Sequence, residues 1–125
     1  MGYESKLIVV KKSGLLPNED CKGKVWAEKI AEVRLSVIHY NVSKKIREYP
    51  VASCYYYEHG IADAILEDFY DKELTEVPLK DMIEILKDAE AMDGYRRYRI
   101  AIGLLESFSD DDWDMNDIVV LHFGY

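Results

Sequence analysis

The stretch PLKDMIEILKDAEAMDGYRRYRIAIGLLESFS, from Pro78 to Ser109, decides the fold. It holds two sets of apolar residues at i, i+3, i+4, i+7, the spacing of helices with one apolar face. The first set is Leu79, Met82, Ile83, Leu86 and Ala89, and the second is Tyr98, Ala101, Ile102, Leu105 and Phe108. Asp93-Gly94 separates them and fits both the end of one helix and the start of the next. We therefore predict a helical hairpin with Pro78 in its first turn.

Strand patterns lie on both sides of this hairpin. Ser5–Lys12 is rich in β-branched residues, and 117–123 is an apolar run near the end of the sequence, so each predicts a strand. Residues 24–38 fit either a strand or a helix. We favour a strand, because the loop before them is short enough for a hairpin with the first strand.

The middle of the chain predicts shorter elements. Asn41 or Ser43 can cap a short helix that ends near Tyr49, because Pro50 disfavours helical geometry in the residue before it. The consecutive tyrosines within residues 52–58 predict a strand over that segment. Residues 64–70 and 73–77 predict a hairpin around Asp71-Lys72.

Together these elements predict an α+β fold. We expect a single domain, residues 1–125, with an antiparallel or mixed sheet of about five strands and the helical hairpin packed on one face. No segment approaches the roughly 18 consecutive apolar residues of a membrane span, and the N-terminal residues lack a secretory signal. We therefore expect a cytoplasmic protein without membrane contact.

The charge is unevenly divided along the chain. Residues 1–60 contain ten Lys/Arg and seven Asp/Glu, whereas residues 61–125 contain six and seventeen, which gives the net charge of −8. An acidic surface repels nucleic acid and attracts basic proteins. We expect no direct nucleic-acid binding, and a partner with a basic surface.

The candidate partner-binding residues are the acidic ones before Pro78 and after Ser109, with one aromatic anchor: Glu67, Asp68, Asp71, Glu73, Glu76, Asp110, Asp111, Asp112, Trp113, Asp114 and Asp117. Such a run can imitate the phosphates of a nucleic acid in a basic groove. The plainer interpretation is a solvated loop. A calcium loop is excluded, because Asp117 and Phe123 occupy the positions that need glycine and glutamate.

Tyr95-Arg96-Arg97-Tyr98-Arg99 interleaves basic and aromatic residues, a pattern that suits a phosphate or a stacked base. Positive charge at a helix start opposes the helix dipole, so pairing with nearby acids is the plainer interpretation. The alternative hypothesis is a nucleotide or small-molecule pocket, or an enzyme site, with Tyr57, His59, Asp63, Arg96, Arg97 and Arg99 as ligand-binding residues.

No catalytic or metal motif is present. Cys21 and Cys54 lie far apart, and His59 has no second Cys/His pair near it to complete a metal site. The chain has no phosphate-binding glycine loop and no dinucleotide fingerprint. We therefore expect no catalytic residue, no metal and no cofactor.

Three segments carry a resemblance to known proteins: Met1–Val10, Glu67–Tyr70 and Leu74–Asp81. In these segments the chain resembles small uncharacterised acidic proteins of phages and mobile elements of Gram-positive bacteria. The resemblance implies a context, because small acidic phage proteins often bind and disable a host protein, including defence nucleases such as CRISPR nucleases.

The leading hypothesis is therefore a non-enzymatic inhibitor in the bacterial host cytoplasm that covers a basic site on a host protein. The ligand pocket is the alternative, and a self-associating structural protein is a third possibility. The oligomeric state is left open.

Overall fold

The computed structural model describes residues 5–12, 25–36, 40–57, 64–65, 67, 71–108 and 117–124. It shows the α+β fold that the sequence predicts. The elements, in chain order, are β1 (Ser5–Lys12), β2 (Val25–Ser36), α1 (Tyr40–Arg47), β3 (Cys54–Tyr57), β4 (Ala64–Ile65), β5 (Thr75–Pro78), α2 (Leu79–Asp93), α3 (Arg96–Ser107) and β6 (Ile118–Gly124).

The sheet is mixed and has the strand order β4-β3-β2-β1-β6-β5. Only the β2–β3 pair is parallel, and the others are antiparallel. The described part of the chain thus contains six strands instead of about five. The strand prediction for residues 24–38 is confirmed, and β2 forms the expected hairpin with β1.

The sheet curls until its two edges meet. Val51, just before β3, forms a bridge with Thr75 at the start of β5. The Ala52 N–H donates to the Leu74 carbonyl at 2.8 Å, and the Glu76 N–H donates to the Pro50 carbonyl at 3.0 Å. Residues 50–52 therefore connect the β3 side of the sheet to β5, which lies at the far end of the strand order.

The hairpin predicted for residues 64–70 and 73–77 lies partly outside the described residues, which do not include 66 and 68–70. β4 pairs with β3 and β5 pairs with β6, and the single described link between the two segments is the Glu67–Glu73 bridge. Burial on both faces favours the pairing of β5 with β6. Val77 of β5 packs under the helices, and Leu74, just before β5, packs inside the curl.

The core has one layer on each face of the sheet. Leu7 and Val9 of β1 face the helices, whereas Ile8 and Val10 face the inside of the curl, as the two-residue period of a strand requires. The helix-side layer includes buried residues of all three helices, and the inner layer includes Cys54, Tyr56 and Phe123. The prediction that the helices cover one face is confirmed.

The hairpin of α2 and α3 turns at Gly94. Its φ of 65° is left-handed, and its N–H donates to the Glu90 carbonyl at 2.7 Å, which ends α2 as predicted. Pro78 is the cap of α2 rather than part of its first turn, and Tyr95, not the Asp93-Gly94 pair, caps α3. No helix in the described ranges is long and apolar enough to cross a membrane.

Candidate anion-binding cavity

A cavity of about 590 Å³ lies between β2 and the start of α3. This volume falls within the roughly 300–1,000 Å³ range of small-molecule sites. Three consecutive β2 residues form one wall, and four residues at the start of α3 form the other. The lining residues are Glu32, Val33, Arg34, Tyr95, Arg96, Arg97 and Ile100.

A bulge in β2 brings its backbone to the cavity. Ser5 pairs with Ser36 and Lys6 pairs with Arg34, so Leu35 is an extra residue without an opposite partner. The carbonyls of Arg34 and Leu35 both turn toward α3. The first accepts a hydrogen bond from Arg97 Nη1 at 3.2 Å, and the second accepts one from the Tyr95 hydroxyl at 3.2 Å. These two contacts fix the start of α3 against β2.

The first turn of α3 supplies positive charge. Arg96 and Arg97 are exposed there, and the cap residue Tyr95 makes no side-chain capping hydrogen bond. The first intrahelical acceptor is the Tyr95 carbonyl, which accepts from the Tyr98 N–H at 3.1 Å, so the two preceding N–H groups have no acceptor within the helix. A helix start carries partial positive charge, so two arginines there repel it, and a bound anion would offset that cost.

Glu32 is the acidic residue in the β2 wall of the cavity, and it forms salt bridges with two lysines. Its carboxylate lies 3.3 Å from Lys6 Nζ and 2.9 Å from Lys29 Nζ. Partial burial raises the pKa of Glu32, but the hydrogen bonds and charges of Lys29 and Lys6 outweigh it and leave the pKa below its ordinary value. Glu32 is therefore ionised at neutral pH, and the two ammonium groups offset its charge, so the positive charge of Arg96 and Arg97 dominates the cavity.

The cavity also has an apolar side. Ile100, one turn beyond Arg96, is 57% exposed, and Val33 contributes a second aliphatic surface. The Tyr95 ring meets Tyr98 edge to face at 4.9 Å, which holds it in place. The site therefore suits a ligand with an anionic group and an adjoining apolar part.

The structure brings together part of the predicted pocket. Arg96 and Arg97 line the cavity. Arg99 does not, because its Nη2 and Nε donate to Glu90 Oε1 at 2.8 and 3.1 Å. Tyr57 belongs to β3, and His59 and Asp63 lie outside the described residues. Tyr95 belongs to the interleaved Tyr-Arg run that the sequence indicates, whereas Glu32 and Arg34 are lining residues that the sequence does not predict.

The predicted acidic residues divide into three groups. Glu67, Asp71 and Glu73 are exposed; Glu67 and Glu73 are opposite each other in an antiparallel bridge, and Asp71 has a φ of 58°. Asp117 lies in the turn before β6 and is half-buried. Outside the described residues are Asp68, Asp110, Asp111, Asp112, Trp113 and Asp114.

Glu76 forms the third group, because its carboxylate is hydrogen-bonded to other residues of the protein. Its carboxylate accepts hydrogen bonds from the Ser53 N–H at 3.1 Å, the Ser53 hydroxyl at 2.9 Å and Lys12 Nζ at 3.2 Å. Lys12 Nζ also donates to the Ser53 hydroxyl at 2.7 Å. These contacts tie β1, β5 and the residues before β3 together where the sheet edges meet.

The acid surplus lies outside the described part of the chain. The described residues contain fourteen Lys/Arg and fourteen Asp/Glu, which balance. The other residues contain two Lys/Arg and ten Asp/Glu, which accounts for the net charge of −8. A locally basic cavity therefore coexists with an acidic sequence.

A second polar cluster lies at the end of β6. A hydrogen bond of 2.8 Å joins Ser5 Oγ and His122 Nε2, and both residues are buried. Because Ser5 is fully buried, its hydroxyl is not accessible to a substrate, and the pair acts as a polar link between β1 and β6. Among the described residues, no group of three or more His, Cys, Asp or Glu side chains is arranged to hold a metal ion.

Comparison of the chain with protein-family models, with curated proteins and with solved structures finds no match.

Proposed function

We propose that the protein binds a ligand carrying a carboxylate or phosphate group in the cavity between β2 and α3. The observation that carries the proposal is the arrangement of Arg96 and Arg97 on a helix start without a side-chain cap, beside the cavity. Guanidinium groups match the geometry of carboxylates and phosphates, and they form charge-assisted hydrogen bonds that are stronger than neutral ones.

A comparison within α3 supports a ligand rather than a structural role for these arginines. Arg99, on the same helix, pairs with Glu90 in the way that a surface arginine does when its role is structural. Arg96 and Arg97 form no ion pair within the described ranges, although they lie at the helix end where positive charge is least favourable. An anion in the cavity would balance both the guanidinium charges and the helix start.

The proposal predicts that anions bind and that two arginines decide the affinity. Titration of the ¹⁵N-labelled protein with phosphate, citrate and ADP should shift the amide signals of the first turn of α3. Arg96→Ala should weaken binding about tenfold or more, since a hydrogen bond to a charged group contributes roughly 1.5–3 kcal/mol. Arg97→Ala should weaken it similarly, although it also removes the bond to the Arg34 carbonyl.

Arg99→Ala is the matched control, because it removes the same charge from the same helix outside the cavity. It should leave affinity within about twofold, since charges exposed at a distance are screened by salt. Equal weakening by Arg96→Ala and Arg99→Ala would show that only net charge matters. If no anion in the panel shifts these amides, the proposal fails.

We propose a second candidate function, in which acidic segments bind a protein with a basic surface. The specific observation is the exposed acidic residues Glu67, Asp71 and Glu73, of which Glu67 and Glu73 are opposite each other in an antiparallel bridge. Like charges in that position cost stability, and a cationic partner would offset the cost. The acid surplus outside the described residues adds to the attraction, and the phage resemblance favours an inhibited host protein as the partner.

Capture from a bacterial lysate at low and high salt tests this candidate. A partner held by charge should be retained at low salt and released at high salt. Reversal of Asp110, Asp111, Asp112 and Asp114 to Lys should abolish capture. The matched control reverses four exposed acids elsewhere, Glu28, Glu48, Glu84 and Asp88, and changes the net charge by the same amount. Loss of capture in both variants, or in neither, would reject the acidic segment as the binding site.

A further inference from the structure

We infer that the ligand of the cavity is the free C-terminus of an extended peptide, which adds as a strand to the open side of β2 and places its carboxylate at the start of α3. This inference rests on the proposed anion-binding function and names the ligand class of the same site.

The open side of β2 carries the first part of the inference. β3 pairs with β2 only at Val25–Ala27, whereas β1 pairs with β2 from Ala27 to Ser36, with register shifts that leave Ile30 and Leu35 without opposite partners. In the described part of the chain, residues 30–33 therefore face no strand on the side away from β1. Such an edge presents backbone donors and acceptors to an added strand.

The hydrogen bond of the Arg34 carbonyl is a second indication that this side of β2 is open. In the interior of a sheet, a carbonyl that points away from one neighbour accepts from the next strand. Here it accepts from the Arg97 guanidinium, a side chain that arrives from the helical layer. The start of α3 thus closes the end of the open edge, and a strand that added to residues 30–33 would end at the arginines.

The cavity is placed where such a strand would end. Its β2 wall consists of the consecutive residues Glu32, Val33 and Arg34, and its other wall is the first turn of α3. A strand advances about 3.3 Å per residue, so residues 30–33 accommodate roughly four peptide residues before the terminal carboxylate. There the carboxylate meets the Arg96 guanidinium and the N–H groups of the helix start.

The apolar lining indicates the last peptide residue. Val33 and the exposed Ile100 lie beside the arginines. A terminal residue with an aliphatic or aromatic side chain would cover both surfaces while its carboxylate stays with the guanidinium groups. A free phosphate or a nucleotide would use the arginines and the helix start alone, without contact to the β2 backbone, and this difference is measurable.

The experiment compares three pools of random hexapeptides with the unaltered protein. One pool has free carboxyl termini, one has amidated termini, and one has free termini with N-methylated backbone amides. The free-carboxylate pool should shift the amide signals of residues 30–33 and slow their hydrogen exchange, as pairing with a new strand does. The amidated and N-methylated pools should each bind at least about tenfold more weakly, because each lacks one of the two interactions. Arg96→Ala should weaken the free-carboxylate pool about tenfold, and Arg99→Ala should not.

Each other outcome overturns the inference in an identifiable way. If the amidated pool binds equally well, the carboxylate is not recognised. If no pool protects residues 30–33 while inorganic phosphate still shifts the first turn of α3, the site takes small anions and the proposed function stands without the peptide. If phosphate also has no effect, both proposals fail.

Discussion

The ammonium group of Lys6 is nearly buried. Its side chain is 9% exposed, and Nζ lies 4.4 Å from the centre of the Phe123 ring and 3.3 Å from the Glu32 carboxylate. Removing the Glu32 carboxylate leaves a nearly buried ammonium group whose remaining contact among the described residues is the Phe123 ring. We expect Glu32→Gln to lower the free energy of unfolding at pH 7 by about 1–3 kcal/mol. Chemical denaturation of both proteins measures this difference.

The effect of Glu32→Gln depends on pH with a definite sign. The pKa of Glu32 is lower in the folded protein than its ordinary value of 4.5, so the ionised form stabilises the fold. That contribution is fully present above pH 4.5 and is lost as the pH falls through the lowered pKa. The two proteins should therefore converge in stability in acid. Lys29→Gln is the control, because it removes a more exposed pair and should cost only about 0–1 kcal/mol. A constant difference at all pH values would show that charge is not the cause.

The elements that the sequence predicts correctly are those set by near neighbours. The helical hairpin follows from stripes in which each residue is three or four positions from the next, and Gly94 ends α2 through a bond to Glu90, four residues earlier. The β1–β2 hairpin also joins segments adjacent in sequence. By contrast, the pairing of residues 50–52 with 74–76 connects positions more than twenty apart, and the local turn at Asp71-Lys72 favoured a different partner for β5.

The cavity is only partly predictable for the same reason. The interleaved Tyr-Arg run marked Arg96 and Arg97, because their charge and position at a helix start are local properties. Arg34 lies 63 residues from Arg97 in the sequence and occupies an ordinary exposed strand position. The contact of its carbonyl with Arg97 depends on the Leu35 bulge and on the anchoring of Tyr95 to the Leu35 carbonyl, and neither feature has a sequence signal.

At the scale of the whole molecule, the meeting of the two sheet edges depends on a polar cluster. Lys12, Ser53 and Glu76 come from β1, the segment before β3, and β5, and hydrogen bonds connect all three. The Glu76 side chain is 16% exposed, so its contacts are shielded from water. Glu76 was expected on the acidic binding surface, but its contacts give it a role in holding the curled sheet together.

Glu76→Ala should therefore loosen the join between the sheet edges. It removes acceptors from Lys12 and Ser53, and we expect a loss of about 1–3 kcal/mol of unfolding free energy. Hydrogen exchange should accelerate most at the Ala52 and Glu76 amides, whose bonds to residues 74 and 50 join the edges, and less along β1 and β6. Glu73→Ala, an exposed acid on the neighbouring turn, is the control and should change stability by no more than about 0.5 kcal/mol. Unchanged stability in Glu76→Ala, together with a loss of partner capture, would instead return Glu76 to the binding surface.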